Sequence, residues 1–142
     1  MPASMHARGH LMRPRAGSLL AALAWFIALP AVADVFVIAH PSVQVSGEDI
    51  REIFLGDRQF AGQIRLIPVD NAPAQERFLS RVMAMDGARY NSSWTKKSFR
   101  HGLNPPPVKS GDSEVLDFVR RTPGAVGYVI AAPSGVNVIQ KY

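Results

Sequence analysis

The chain contains no cysteine. This excludes disulfides, a thiol nucleophile and lipid attachment through an N-terminal cysteine. Histidine is scarce as well. From residue 34 onward only His40 and His101 occur, and neither has a partner at the i+3 or i+4 spacing of a metal site. The HExxH and DxDxDG patterns are missing, and no serine sits in a G-x-S-x-G elbow. Glu48, Asp49 and Glu52 fall in the first turn or so of an expected helix, where acids simply favour the helix dipole. The reading is a non-enzyme with no catalytic residues, no cofactor and no metal.

The first segment has the form of a targeting leader. Arg8, Arg13 and Arg15 precede an apolar run from Ala16 to Leu29; Pro30 breaks it, and Ala31-Val32-Ala33 gives a small-x-small ending. This predicts a signal peptide over 1–33, cleaved before Asp34. Pro14 separates Arg13 from Arg15, so the signal is Sec-type and not twin-arginine. A spanning helix needs about 20 apolar residues, and Pro30 with the Ala-x-Ala ending argues against a retained anchor. The expectation is a periplasmic domain over 34–142 with no stable membrane insertion. The leader holds three of the 16 basic residues and none of the 11 acids. The domain therefore carries 16 − 3 = 13 basic and 11 acidic residues, a net +2. No basic stripe with interleaved aromatics stands out, which argues against nucleic acid.

The domain reads as α/β. Val35–Ala39 is a short apolar, β-branched run typical of a buried strand. Ser46-Gly-Glu-Asp49 is a capping box, with Ile50, Ile53 and Phe54 on one helical face and a stop at Gly56. Gln63–Val69 reads as a second strand. Asn71-Ala72-Pro73 opens a helix with Phe78, Leu79, Val82 and Met83 inward. Asp86-Gly87 breaks it, and Tyr90, Trp94 and Lys97 share a face of the next helix. Three prolines exclude regular structure over 102–107. The helix from Ser110 buries Val115, Leu116, Phe118 and Val119, while Arg120 and Arg121 complement its dipole. Ala125–Ile130 and Val136–Ile139 finish the domain as strands. The expected order is β-α-β-α-α-α-β-β, a small mixed sheet flanked by helices.

Three helix starts are rich in small or hydroxyl residues: Ser42 to Ser46, Asn71-Ala72-Pro73, and Ser110-Gly111-Asp112-Ser113. If the strands aim them into one crevice, free amides and hydroxyls converge there as an anion site. Each also serves as an ordinary cap.

Two blocks resemble a known family. They are Glu52-Ile-Phe-Leu-Gly56 with Gly62-Gln-Ile-Arg-Leu-Ile-Pro-Val69, and Ser110-Gly-Asp leading to Thr122-Pro-Gly-Ala-Val-Gly-Tyr-Val129. In this order they resemble the substrate-binding proteins of phosphate ABC transporters, above all the short, single-lobe substrate-binding-protein-like group. The resemblance covers 34–138. It implies a type II periplasmic-binding-protein fold, phosphate or a related oxyanion as ligand, and a role in ABC-type transport or sensing. In such proteins a serine after the first strand grips phosphate, which maps to Ser42. An Arg…Ser-Gly-Thr loop opening a helix also grips it. That loop maps to Asp70–Gln75, and Ala72-Pro73-Ala74-Gln75 stands where short relatives carry Ser-Pro-x-Arg. Arg100, in Phe99-Arg-His-Gly102, is the candidate for supplying the missing charge from the opposite rim.

A micromolar ligand needs about 8 kcal/mol. An exposed helix N-terminus supplies roughly 0.3–1 kcal/mol, and a charged arginine bond about 1.5–3. The monomer is therefore expected to bind phosphate weakly or not at all. The alternative is an accessory module that docks on a membrane transporter, a sensor or another copy of itself without a ligand. Phe60, Tyr90, Trp94, Phe99 and Tyr142 are the aromatic candidates for a docking patch, although Tyr90 and Trp94 at i, i+4 are expected to cover the core.

Overall fold

The computed structural model describes residues 33–142 together with Gly17 and Ile27. The expected signal peptide otherwise lies outside the described residues. The apolar run after it forms β1, Phe36–Ala39. This strand lies between β7, Ala125–Val129, and β8, Asn137–Lys141, antiparallel to both. β4, Ile67–Pro68, adds to the other side of β7 in parallel, giving the order β4-β7-β1-β8. A hairpin of β2, Phe60–Ala61, and β3, Ile64–Arg65, stands apart from this sheet. So does a parallel pair of β5, Asp70–Asn71, and β6, Val108–Lys109. The architecture is mixed α/β.

The strand expected over Gln63–Val69 is split between β3 and β4. Leu66 N–H donates to Gln59 O (2.8 Å) to close the hairpin, while Ile67 N–H donates to Gly124 O (2.9 Å) to join the sheet. Pro68 lies on the edge strand, where its missing donor leaves no gap in a ladder. The last strand begins and ends later than the expected Val136–Ile139 because it pairs with β1 as far as Lys141.

α1, Ile50–Phe54, follows a single 3-10 turn at Gly47–Asp49. The Asp49 carboxylate accepts from Ser46 N–H (2.9 Å), the reach-back bond of the expected capping box. α2, Gln75–Phe78, is entered through a 3-10 turn at Ala72–Ala74 and continues into a π-type turn at Leu79–Met83. α3, Gly87–His101, is capped by Asp86, whose Oδ1 accepts from Arg89 N–H (2.8 Å). α4, Asp112–Arg121, runs to the Pro-Gly stop.

Alternation divides the sheet into two faces. Val37, Ala39, Val126 and Tyr128 face the larger core, with Phe54, Phe78, Met83 and Trp94. Ile38, Val69, Ala125 and Val129 face Val115 and Val119 of α4. Tyr90 and Trp94 are buried, as their spacing suggested. Gly127 sits on the α4 face. A Cβ there would lie 2.7 Å from Val115 Cγ1 and 3.2 Å from Val69 Cγ2, so α4 rests on bare backbone. Gly124, just before β7, has φ +86°, and a Cβ would lie 2.0 Å from the Arg65 carbonyl oxygen. Both glycines of the closing block thus serve packing within the domain. Gly127→Ala is expected to cost about 1–3 kcal/mol through overpacking. Urea denaturation checks this, and an unchanged midpoint would refute the packing role.

Candidate functional site

The three expected anion-binding helix starts do not share one crevice. Because β1 and β7 are antiparallel, Ser42 lies beside the N-terminal end of β7, where its Oγ accepts from Gly124 N–H (3.2 Å). Ser42 N–H also donates to His40 Nδ1 (3.1 Å), which makes that ring nitrogen an acceptor, and the Ser42 hydroxyl lies 2.8 Å from it. Asn71 lies at the other end of β7, where its Nδ2 donates to Tyr128 O (3.0 Å). Four residues of strand at ~3.3 Å each separate the two anchors by roughly 13 Å.

Asn71 and the start of α4 do come together, at the C-terminal end of β7. Asn71 follows Asp70 in β5, so the two side chains point to opposite faces. Asn71 turns toward α4, is fully buried, and donates from Nδ2 to Asp112 Oδ1 (2.8 Å). It does not cap the helix turn that follows it. Two acceptors fix its amide orientation, leaving Oδ1 without a partner among the described residues.

Asp112 is the hub of this corner. Its carboxylate accepts from Asn71, from Ile130 N–H (3.2 Å to each oxygen) and from Ala131 N–H (2.9 Å). A second carboxylate closes the same helix end: Glu114 Oε2 accepts from Ser110 N–H (3.1 Å). That backbone bond, with the Ser110 hydroxyl helping, holds the Glu114 carboxyl below its ordinary pKa. Ser110 and Ser113 are exposed, and Gly111 is extended at φ 174°. Two carboxylates thus stand beside the start of α4, one on the amides of the turn after β7 and one on the amide of Ser110, while among the described residues no side chain caps the helix amides themselves.

The other predicted contributors stand elsewhere. Ala72 is exposed and brings no polar side-chain atom. Arg100 is exposed on α3 and lines a shallow depression with Arg89, Lys96 and His101. The groove beside Asp70, about 720 Å³, takes Asn91, Thr95, Ser98 and Phe99 from α3 and not Arg100.

The sequence reading missed Asp70. Its side chain points into the larger core, 2 % exposed, where Oδ2 accepts from Tyr90 OH and Oδ1 from Tyr128 OH, each at 2.8 Å. The Tyr128 ring stacks on Phe78 with centroids 3.8 Å apart. Burial raises the Asp70 pKa, and the two hydroxyl bonds offset part of that rise. Burial and the neighbouring carboxylate both raise the tyrosines. The one visible signal was an acid at the end of an apolar strand. Its partners lie 20 and 58 positions away, beyond any local pattern.

Two predictions follow from the Asp70 cluster. Tyr128→Phe removes a hydrogen bond to a buried charged acceptor and is expected to cost about 1.5–3 kcal/mol at neutral pH. Equilibrium unfolding tests this, and a loss below 0.5 kcal/mol (roughly, on the same scale) would count against the cluster. The pH dependence tests the charge. A carboxyl with a raised folded-state pKa binds more protons folded than unfolded, so stability rises as pH falls toward the ordinary carboxylate range. The wild type is expected to gain stability relative to Asp70→Asn between pH 7 and that range. Parallel curves would show that Asp70 is not perturbed.

No protein-family model matches the chain, and no curated protein matches it.

Proposed function

We propose that this chain is a periplasmic accessory module, a single lobe resembling the type II periplasmic binding proteins, that docks on a membrane transporter or sensor without carrying a ligand. The order of its two motif blocks supports the lineage. The observation that carries the functional half is the Asp112 carboxylate. It accepts from two backbone amides and from Asn71 at the corner where phosphate or a similar oxyanion was expected. Free backbone amides are what an oxyanion binds, and the two amides of the turn after β7 are taken by a carboxylate of the chain itself. Glu114 adds a second acid at the start of the same helix, and Arg100 lines a depression of α3 with Arg89, Lys96 and His101. An incoming oxyanion meets the carboxylate charge of Asp112 and Glu114.

Exposed apolar side chains favour docking. Of the aromatic candidates for a docking patch, Phe60 on β2 is 53 % exposed and Phe99 on α3 is 92 % exposed.

Calorimetry with phosphate and with sulfate is expected to show no binding tighter than millimolar. A micromolar or tighter dissociation constant would restore the oxyanion-carrier reading. Asp112→Gly provides the complementary test. It frees the Ile130 and Ala131 amides, so phosphate is expected to raise its melting temperature relative to chloride by more than it raises that of the wild type. Equal increments would mean that Asp112 does not fill an anion seat.

A further inference from the structure

The helix that was expected to lend Arg100 to an anion site carries a different surface. α3 contains Arg89, Lys96, Lys97 and Arg100 and no acid. The domain's net charge is +2, so everything outside α3 sums to 9 − 11 = −2. The positive charge of the domain is concentrated on this one helix.

Geometry gathers it further. At about 100° per residue, Arg89, Lys96 and Arg100 (positions i, i+7 and i+11) fall within roughly 40° of one another. All three are exposed and line one shallow depression, and none forms an ion pair among the described residues. Lys97 lies nearer the core side, where it pairs with Asp57 and bonds the Leu55 carbonyl. Phe99 follows buried Tyr90 by nine residues, which places it half a turn from the core face. It is 92 % exposed and lies about 60–100° round the helix from the three basic residues, on the flank that borders the Asp70 groove.

We propose that this face of α3 is a docking surface for an anionic lipid bilayer, with Phe99 entering the headgroup boundary and Arg89, Lys96 and Arg100 lying over the headgroups. Charge complementarity selects an anionic partner. Phe99, protruding beside exposed Val108 at the rim of the Asp70 groove, selects a bilayer over an acidic protein: an interface accepts protruding apolar groups anywhere along its plane, whereas a protein must offer a matching pocket. This is surface adsorption and not insertion; among the described residues no helix is long and apolar enough to cross a membrane. The inference goes beyond the accessory-module reading and does not depend on whether Asp112 seals the corner.

The test is sedimentation of the protein, as secreted and purified, with vesicles of phosphatidylcholine containing about one-third phosphatidylglycerol, and with vesicles of phosphatidylcholine alone. Each Lys or Arg near an anionic surface is worth roughly fivefold in partitioning. The wild type is expected to bind the anionic vesicles and not the neutral ones, with binding lost at high salt. Lys96→Glu/Arg100→Glu is expected to bind at least tenfold more weakly. Arg65→Glu/Arg121→Glu, the same charge change at exposed positions outside α3, is expected to lose less than half as much on a logarithmic scale. Phe99→Ala is expected to weaken binding with the charge unchanged. All four substituted side chains of the two double variants are exposed, and unchanged melting temperatures would show that folding is intact. The proposal is overturned by no binding to anionic vesicles at low salt, by equal losses in the two double variants, or by equal binding to neutral vesicles. Capture by immobilised polyglutamate without vesicle binding would likewise overturn it, assigning the face to an acidic protein.

Discussion

β7 is the strand on which the rest of the domain depends. Four residues in or just before β7 answer different parts of the domain. Gly124 N–H and carbonyl meet Ser42 and β4, Val126 O takes Val69 N–H, Gly127 admits α4, and Tyr128 reaches Asp70. Its antiparallel pairing with β1 is the decisive choice. Strand direction decides which loop ends become neighbours, so this one pairing puts the loop after β1 and the loop after β5 at opposite ends of the sheet. A parallel pairing would have placed the Ser42 and Asn71 loops together, as a crevice at the strands' carboxyl ends requires.

Features with a local cause were legible in the sequence. The α/β class, the buried first strand, the Ser46 capping box, the inward stripe of α4 and the burial of Tyr90 and Trp94 all follow from periodicity or from contacts within four residues. Strand pairing and the ends of β3 and β4 are set by partners far along the chain, and a continuous apolar run does not reveal where it will be divided. The candidate site shows the same boundary. The composition of the Asn71 and Ser110 loops was visible, but whether a polar side chain there waits for a ligand or satisfies the chain depends on Ile130 and Ala131, which are reached only by folding. The basic face of α3 was hidden for another reason. Spread over twelve positions with serines and aromatics between, Arg89, Lys96 and Arg100 do not form a run; the helical period assembles them.

Charge is sorted by location. The acids that matter most to the architecture are turned inward or onto backbone amides: Asp70 into the core, Asp112 onto the turn after β7, Glu114 onto Ser110, Asp49 onto Ser46. Three of the arginines and lysines on α3 are left facing outward. Acids near helix starts are stabilising, and a carboxylate that accepts backbone N–H bonds does so more strongly than a neutral acceptor. Consumption of acids by the fold leaves a surface on which the basic helix is the least compensated region.

The same sorting underlies the proposal that the corner at the end of β7 takes no external anion. A free phosphate must give up translational freedom to reach the amides of Ile130 and Ala131. A competing group joined by even a short flexible tether acts at millimolar effective concentration, and Asp112 is on the first turn of the helix itself. It also holds Asn71, which in turn holds the Tyr128 carbonyl, so displacing it would loosen the strand that organises the domain. In the proposed reading, weak external binding is a consequence of folding. In that reading, the residue that ties Asn71 and the turn after β7 together also occupies the seat.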